Sequence, residues 1–328
     1  MPTSPLLIDA HEEVWPLKQT FRISRGSRTE AQVVALTISD GKHVGCGESV
    51  PLARYSQSVA SVLEQIDLIK GDWNLDRQRL QKVLPPGAAR NALDCALWDL
   101  EAKISRKRAW ELANIAIAAE VDTSFTISLD LPEKMGAAAK ENARLPILKL
   151  KLGGDDRDLA RVQAVRKAAA ARLLIDANES WSPEHYRKIV PALKMLGVEL
   201  IEQPFPAQAD EVLEVLDHPI PVCADESCHT TADLPHLGRR YEVINVKLDK
   251  TGGFTEALGL CETARDRGFK VLIGCMVCTS LAIAPARLLA KFADWIDLDG
   301  PLLLARDRDH PVVYVNGRIG IPPRELWG

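Results

Sequence analysis

Lys149 and Lys151 stand two positions apart in the run ILKLKL (147–152), a spacing that points both side chains to one face of an extended strand. If that face is an interior one, two ammonium groups share a low-dielectric space, which is costly unless something there uses them. Asp176 (LLIDAN), Glu202 (ELIEQP) and Asp225 (VCADES) each end a short β-rich run, and they recur 26 and 23 residues apart. Three carboxylates brought to one rim repel one another, and a hard divalent cation with oxygen ligands relieves this, Mg²⁺ being the natural candidate. Lys247 follows Asp225 by 22 residues in VINVKLDKTGG and should face the same pocket from across. Asp297 and Asp299 in WIDLDG repeat the two-apart spacing, and together they could hold a cation.

The elements that must position these groups form a repeating pattern beyond about residue 121. Short apolar runs occur at 125–129, 147–152, 172–178, 198–204, 220–227, 242–249, 270–276 and 294–300. Amphipathic segments such as 158–171, 183–196 and 255–268 lie between them, long enough for crossover helices. Strand–helix alternation of this kind predicts parallel β/α units, and eight units favour a closed barrel over an open doubly wound sheet. Strands buried on both faces should read as almost uniformly apolar, so the polar residues in these runs stand out as the chemistry. In such barrels the active site lies at the C-terminal ends of the strands, where the three acids fall.

The first 120 residues read differently. Residues 30–39 and 43–48 flank Asp40-Gly41 as a hairpin, and 88–106 carries helical spacing. The reading is an α+β capping domain over 1–120, completed by about 301–328, and a barrel over 121–300.

Composition narrows the classes. Hydrophobic residues are 46% and charged residues 26% of 328, with a formal net charge of −4. There is no basic stripe for nucleic acid and no apolar run of about 20 residues for a membrane. MPTSPLLIDAHEE has no leader pattern, so a cytoplasmic location is expected. Seven scattered cysteines fit reduced thiols, and Cys275-x-x-Cys278 alone is a weak redox or zinc signal. The assembly state stays open, a homo-oligomer included.

Taken together, K-x-K (149–151), D-A-N (176–178), E-Q-P (202–204), A-D-E-S (224–227) and N-V-K-L-D-K-T-G-G (245–253) resemble the signature of the enolase superfamily, in its muconate-lactonising-enzyme-like subgroup. With D-x-D at 297–299 the chain is similar to the dipeptide epimerases of that subgroup, L-Ala-D/L-Glu epimerases among them. The resemblance spans essentially the whole chain. It implies an α/β fold, a (β/α)7β modified TIM barrel with an α+β cap, and it assigns Asp176, Glu202 and Asp225 to Mg²⁺. It makes Lys151 and Lys247 the two bases and gives Asp297 and Asp299 the α-ammonium of a dipeptide substrate.

The chemistry agrees with that assignment. Removing a proton α to a carboxylate makes an enolate whose charge must be stabilised as it develops, a task for Mg²⁺ and Lys149. Positive charge from Mg²⁺ and a neighbouring lysine should lower the pKa of a lysine base. Bases on both faces of one carbon permit epimerisation. Thr126 could bond the peptide backbone, and Arg25 or Arg28 in RISRGSR could meet a glutamate side-chain carboxylate, Arg25 being preferred. Other dipeptide specificities, an o-succinylbenzoate-synthase-like elimination and a non-catalytic binding barrel are the alternatives; the last would call for a lost ligand or lysine, and none is lost.

Overall fold

The computed structural model describes residues 6–328, so part of the N-terminal stretch read for a leader lies outside the described residues. Strands β1 (Leu7–Ile23), β2 (Gly26–Ser39) and β3 (Val44–Ser49) form an antiparallel sheet in that order. The β2–β3 turn falls at Asp40-Gly41, as the sequence predicts, with Asp40 Oδ1 accepting from the Lys42 and His43 N–H groups at 2.8 and 2.6 Å. β1 has no such sequence signature. It is an edge strand whose residues are exposed or half-buried, so it carries no strong apolar alternation.

Helices α1 (Val59–Asp67), α2 (Arg77–Val83) and α3 (Ala88–Ser105) follow. α3 lies so close on β3 that a Cβ on Gly45 or Gly47 would meet the Ala96 or Ala92 carbonyl at 2.1 or 2.0 Å. Glycine on the strand and alanine on the helix are therefore both required.

After a short strand β4 (Val121–Asp122) come eight parallel strands: β5 (Phe125–Ile127), β6 (Ile147–Lys151), β7 (Arg172–Asp176), β8 (Val198–Glu202), β9 (Val222–Ala224), β10 (Val243–Val246), β11 (Lys270–Gly274) and β12 (Trp295–Asp297). They are hydrogen-bonded in chain order. The Ser124 N–H, just before β5, donates to Ile296 O on β12 at 2.9 Å, so the first and last strands meet and the barrel closes. Every apolar run read from the sequence holds one strand, but several strands end before the run does. Asp225, Lys247 and Asp299 each lie just past a ladder, free to project over the barrel mouth. The crossovers after β8 and β9 are shorter than full helices, with 3₁₀ turns at Glu211–Val215 and Thr231–Asp233.

The C-terminal segment adds β13 (Tyr314–Val315) and β14 (Arg318–Ile319), β14 pairing with β4. The chain then reaches α3, where the buried Trp327 indole donates to Cys95 O at 3.0 Å. All seven cysteines are free thiols. Among the described residues no helix is long and apolar enough to cross a membrane.

Candidate active site

Period-two alternation sorts the barrel interior into layers. The floor is one apolar side chain from each of β6 to β12: Ile147, Leu174, Leu200, Cys223, Val243, Leu272 and Trp295. Two residues further along the same strands stand Lys149, Asp176, Glu202, Asp225, Asn245, Gly274 and Asp297. Two more bring Lys151, Asn178, Lys247 and Asp299 into the wall of a cavity of about 440 Å³. Leu148, Leu150 and Leu152 point the other way, into the core between the sheet and its helices. The charged layer thus rests on an apolar floor at the C-terminal mouth.

All of these charges are buried, and all but Asp299 have an oppositely charged partner. Lys149 Nζ is 2.6 Å from Asp297 Oδ2, 2.6 Å from Glu202 Oε2 and 3.6 Å from Asp176 Oδ2. Burial opposes its charge, but Asp297, Glu202 and Asp176 together hold its pKa well above the usual lysine value. Lys151 Nζ is 2.5 Å from Asp176 Oδ2, and Lys247 Nζ is 2.7 Å from Asp225 Oδ2. Burial lowers Lys247, and Asp225 and Glu202 outweigh it and raise it, the reverse of the shift expected from a neighbouring lysine. With the cavity's own acids as counter-ions, Lys149 and Lys247 are held charged. β6 and β10 are four strands apart in a barrel of eight, so Lys151 and Lys247 face each other across the mouth.

The acids divide by what neutralises them. Against burial, Lys151 and Lys149 hold Asp176 down at about 2, and Lys247 and Lys250 hold Asp225 well below the carboxylate range. Glu202 is instead pushed up, by burial and by the negative charges of Asp176 and Asp225. Its buried Oε2 has no hydrogen-bond partner, although the Lys149 amine lies 2.6 Å away. Asp176 and Glu202 are register partners on β7 and β8. The three carboxylates face one another across ammonium groups, and among the described residues no three His, Cys, Asp or Glu side chains form a ready-made cage. An all-oxygen donor set that includes a buried oxygen without a hydrogen bond nonetheless fits a hard divalent cation.

On the opposite rim Asp297 is matched by Lys149 and by the Ser124 hydroxyl at 2.5 Å. Asp299 accepts only the Thr126 N–H, at 2.6 Å, and burial with the Asp297 charge pushes it up to about 6. Asp299 therefore carries the carboxylate most open to a cationic ligand group.

The cap closes the cavity from above with the β1–β2 hairpin and the loop around Tyr55. Arg25, at the hairpin tip, donates to Asn178 O at 2.8 Å, Glu179 Oε2 at 3.0 Å and Glu226 Oε1 at 2.6 Å. Arg54 forks onto both Glu179 oxygens at 2.8 and 2.7 Å. Asn178 and Glu179 reach that place through consecutive left-handed φ values of 45° and 66°, a conformation that asparagine tolerates and glutamate seldom adopts. Arg28 also lines the cavity.

Sequence reasoning passed over Asn245 and Lys250. Asn245 Nδ2 donates to Glu202 Oε1 at 2.8 Å, and a Cβ on Gly274 would sit 2.4 Å from Asn245 Oδ1, so that glycine makes its room. Asn245 was findable, since it lies two before Lys247 in an otherwise apolar run. Lys250 lies beyond the strand, and no periodicity marks it. Glu179, Arg54 and Glu226 act through loop geometry that spacing does not encode.

The chain matches two family descriptions: "Mandelate racemase / muconate lactonizing enzyme, N-terminal domain" over residues 8–113 and "Enolase C-terminal domain-like" over residues 134–325. It is 45% identical to the L-Ala-D/L-Glu epimerase of Escherichia coli K12, covering 95% of this chain and 98% of that one. It is 44% identical to an N-acetyl-D-glutamate racemase of Pseudoalteromonas sp, covering 90% and 95%. Among solved structures it is similar to an enolase family member from Agrobacterium tumefaciens described as homologous to dipeptide epimerases, with bound sodium and L-Ala-L-Glu. That match has TM-score 0.97 and 48% identity and covers 99% and 100% of the two chains. A dipeptide epimerase from Enterococcus faecalis complexed with Mg and L-Leu-L-Tyr matches at TM-score 0.90 and 29% identity, covering 98% and 97%.

Proposed function

This chain belongs to the enolase superfamily, with both domains of the mandelate racemase / muconate lactonizing enzyme type, and on that premise we propose that it is a Mg²⁺-dependent dipeptide epimerase acting on L-Ala-D/L-Glu. It is an isomerase, and the reaction is a 1,1-proton transfer at the α-carbon of the C-terminal residue. The observation that carries this reading is the placement of Lys151 at the end of β6 and Lys247 just past the end of β10, strands four apart in an eight-stranded barrel.

In this reading each lysine addresses one face of the α-carbon, one removing the proton and the other delivering it to the opposite side. Lys149 neutralises charge that develops on the substrate carboxylate. Asp176, Glu202 and Asp225 would hold Mg²⁺, which supplies Lewis-acid neutralisation at that carboxylate when bound. Asp299, with Asp297 behind it, takes the α-ammonium, and Thr126 orients Asp299 through its N–H. The cavity of about 440 Å³ lies within the range that buries a small ligand. The hairpin and the Tyr55 loop form its roof.

The test is proton exchange in D₂O with Mg²⁺, followed by ¹H NMR. L-Ala-L-Glu and L-Ala-D-Glu should each lose the glutamate α-proton signal and converge to one mixture. N-acetyl-L-glutamate, which lacks the ammonium, should exchange far more slowly; equal rates would reject the role given to Asp299. No exchange with any dipeptide rejects the epimerase reading.

A further inference from the structure

We propose that Cys275 and Cys278 form a peroxide-sensitive thiol pair in the wall of the cavity, and that closing them into a disulfide disables the end of the site where Asp299 lies. The pair stands on geometry alone; its consequence for substrate rests on the dipeptide-epimerase reading.

The C-x-x-C begins one residue past β11, and the chain bends at Val277. Cys275, Met276 and Val277 line the cavity, as do Asp299 and Gly300 just past β12. None of the other five cysteines lines it. Cys275 is half-buried on that wall, whereas Cys278 is 1% exposed. A reagent entering the cavity therefore meets Cys275, and Cys278 waits behind it, the arrangement of an attacking and a resolving thiol. The adjacent Cys275 thiol and then burial push Cys278 well above the usual thiol range, which keeps it protonated until its neighbour is oxidised. Tyr314 fixes the same corner: its hydroxyl donates to Leu298 O at 2.6 Å, and after burial both sulfurs and Asp299 push its phenol up.

The chemistry balances with hydrogen peroxide as oxidant. The Cys275 sulfur, its proton released, forms an S–O bond as the O–O bond breaks, and the departing hydroxide takes up a proton and leaves as water. The Cys278 sulfur then forms the S–S bond as the S–O bond breaks, and its own proton goes out with the second hydroxide as water. The two thiols are oxidised by two electrons, and the peroxide is reduced by the same two.

The turn has no slack to absorb the new bond. Upstream, Gly274 is paired with Asp297 in the β11–β12 ladder, and a Cβ on it would sit 2.4 Å from Asn245 Oδ1. Downstream, the Thr279 N–H donates to Glu48 Oε1 at 2.8 Å and its hydroxyl to Glu48 Oε2. Gly300 touches the turn so closely that a Cβ there would meet Met276 O at 2.7 Å and Cys278 Sγ at 3.1 Å. Drawing the sulfurs together thus presses the turn on the Asp299–Gly300 corner, and a close-packed wall passes the shift to the carboxylate beside it.

The experiment treats the Mg²⁺-loaded protein with hydrogen peroxide. The tryptic peptide 271–287, which holds both cysteines, should lose the mass of two hydrogens. Turnover and calorimetric binding of L-Ala-L-Glu should each fall by roughly tenfold or more, and dithiothreitol should restore them. Each variant is scored against its own untreated activity. Cys275→Ala should keep its activity under the same treatment. Cys278→Ala should lose its activity irreversibly, because Cys275 then runs on to the sulfinic acid. Inactivated wild type whose peptide has gained oxygen at Met276 and formed no disulfide overturns the proposal. So does Cys275→Ala inactivated as fast as wild type, or a disulfide that leaves turnover and binding intact. Reduced protein that exchanges no dipeptide proton, yet binds L-Ala-L-Glu until the disulfide forms, would sink the epimerase reading and leave the thiol pair standing.

Discussion

Lys250 Nζ lies 2.7 Å from Asp225 Oδ1 and 2.6 Å from the Asp225 carbonyl oxygen, with Asn245 O as its third acceptor at 2.9 Å. It is fully buried and does not line the cavity; it reaches Asp225 from behind while Lys247 reaches it from the front.

Lys250→Met should therefore weaken cation binding without touching the bases. The expected loss in Mg²⁺ affinity is about 10- to 100-fold, the usual effect of removing a group that orients a ligand. Leaving a buried carboxylate short of a partner should also cost about 3–5 kcal/mol of stability. Titration of Mg²⁺ by calorimetry checks the first and denaturant unfolding the second; wild-type affinity in a folded variant contradicts the positioning role.

Lys151→Ala and Lys247→Ala should each lower epimerisation by about 10²- to 10⁴-fold. Each should keep α-proton exchange with one epimer only, and the surviving epimer should differ between the two variants. ¹H NMR in D₂O reads both. Exchange of both epimers by either variant would mean that the two amines do not divide the faces.

Chelation should abolish activity, and Mg²⁺ should restore it. At a hundred times its Kd the ion should add about 2.7 kcal/mol to the folded state, visible as a rise of a few degrees in Tm. Asp176→Asn should blunt that rise. Activity that persists in excess EDTA would remove the metal from the reaction.

How much of this was legible beforehand depends on which interactions are periodic. Lys149, Asp176, Glu202, Asp225 and Asp297 interrupt apolar runs at a fixed parity, and a strand that must bury both faces betrays such interruptions. The floor beneath them follows from the same parity. β1 was not legible, because an edge strand with its side chains largely in solvent has no pattern to show. Neither was the commitment of Arg25, since it depends on Glu179 and Glu226, more than 150 residues away and brought near only by the closed barrel.

Asp249 gives a pH prediction. Burial pushes its carboxyl up to about 7, against the pull of the Val50 N–H and the Asn91 amide at 2.8 Å each. An unfolded aspartate titrates near 3.9. Between about 4 and 7 the folded chain thus holds a proton that the unfolded chain releases, so stability falls as pH rises through that window. Asp94, raised to about 6, acts in the same sense. Asp249→Asn should flatten the dependence of Tm on pH between about 4 and 7 and leave the Asp94 share. A slope equal to wild type in a thermal scan would contradict this.

Glu179 accepts from two nitrogens of Arg54, one of Arg25 and the N–H of Ala207. The tips of two cap segments are thereby answerable to a single carboxylate. Withdrawing either arginine strips that carboxylate of half its compensation and tightens its hold on the other, so the segments cannot be loosened independently.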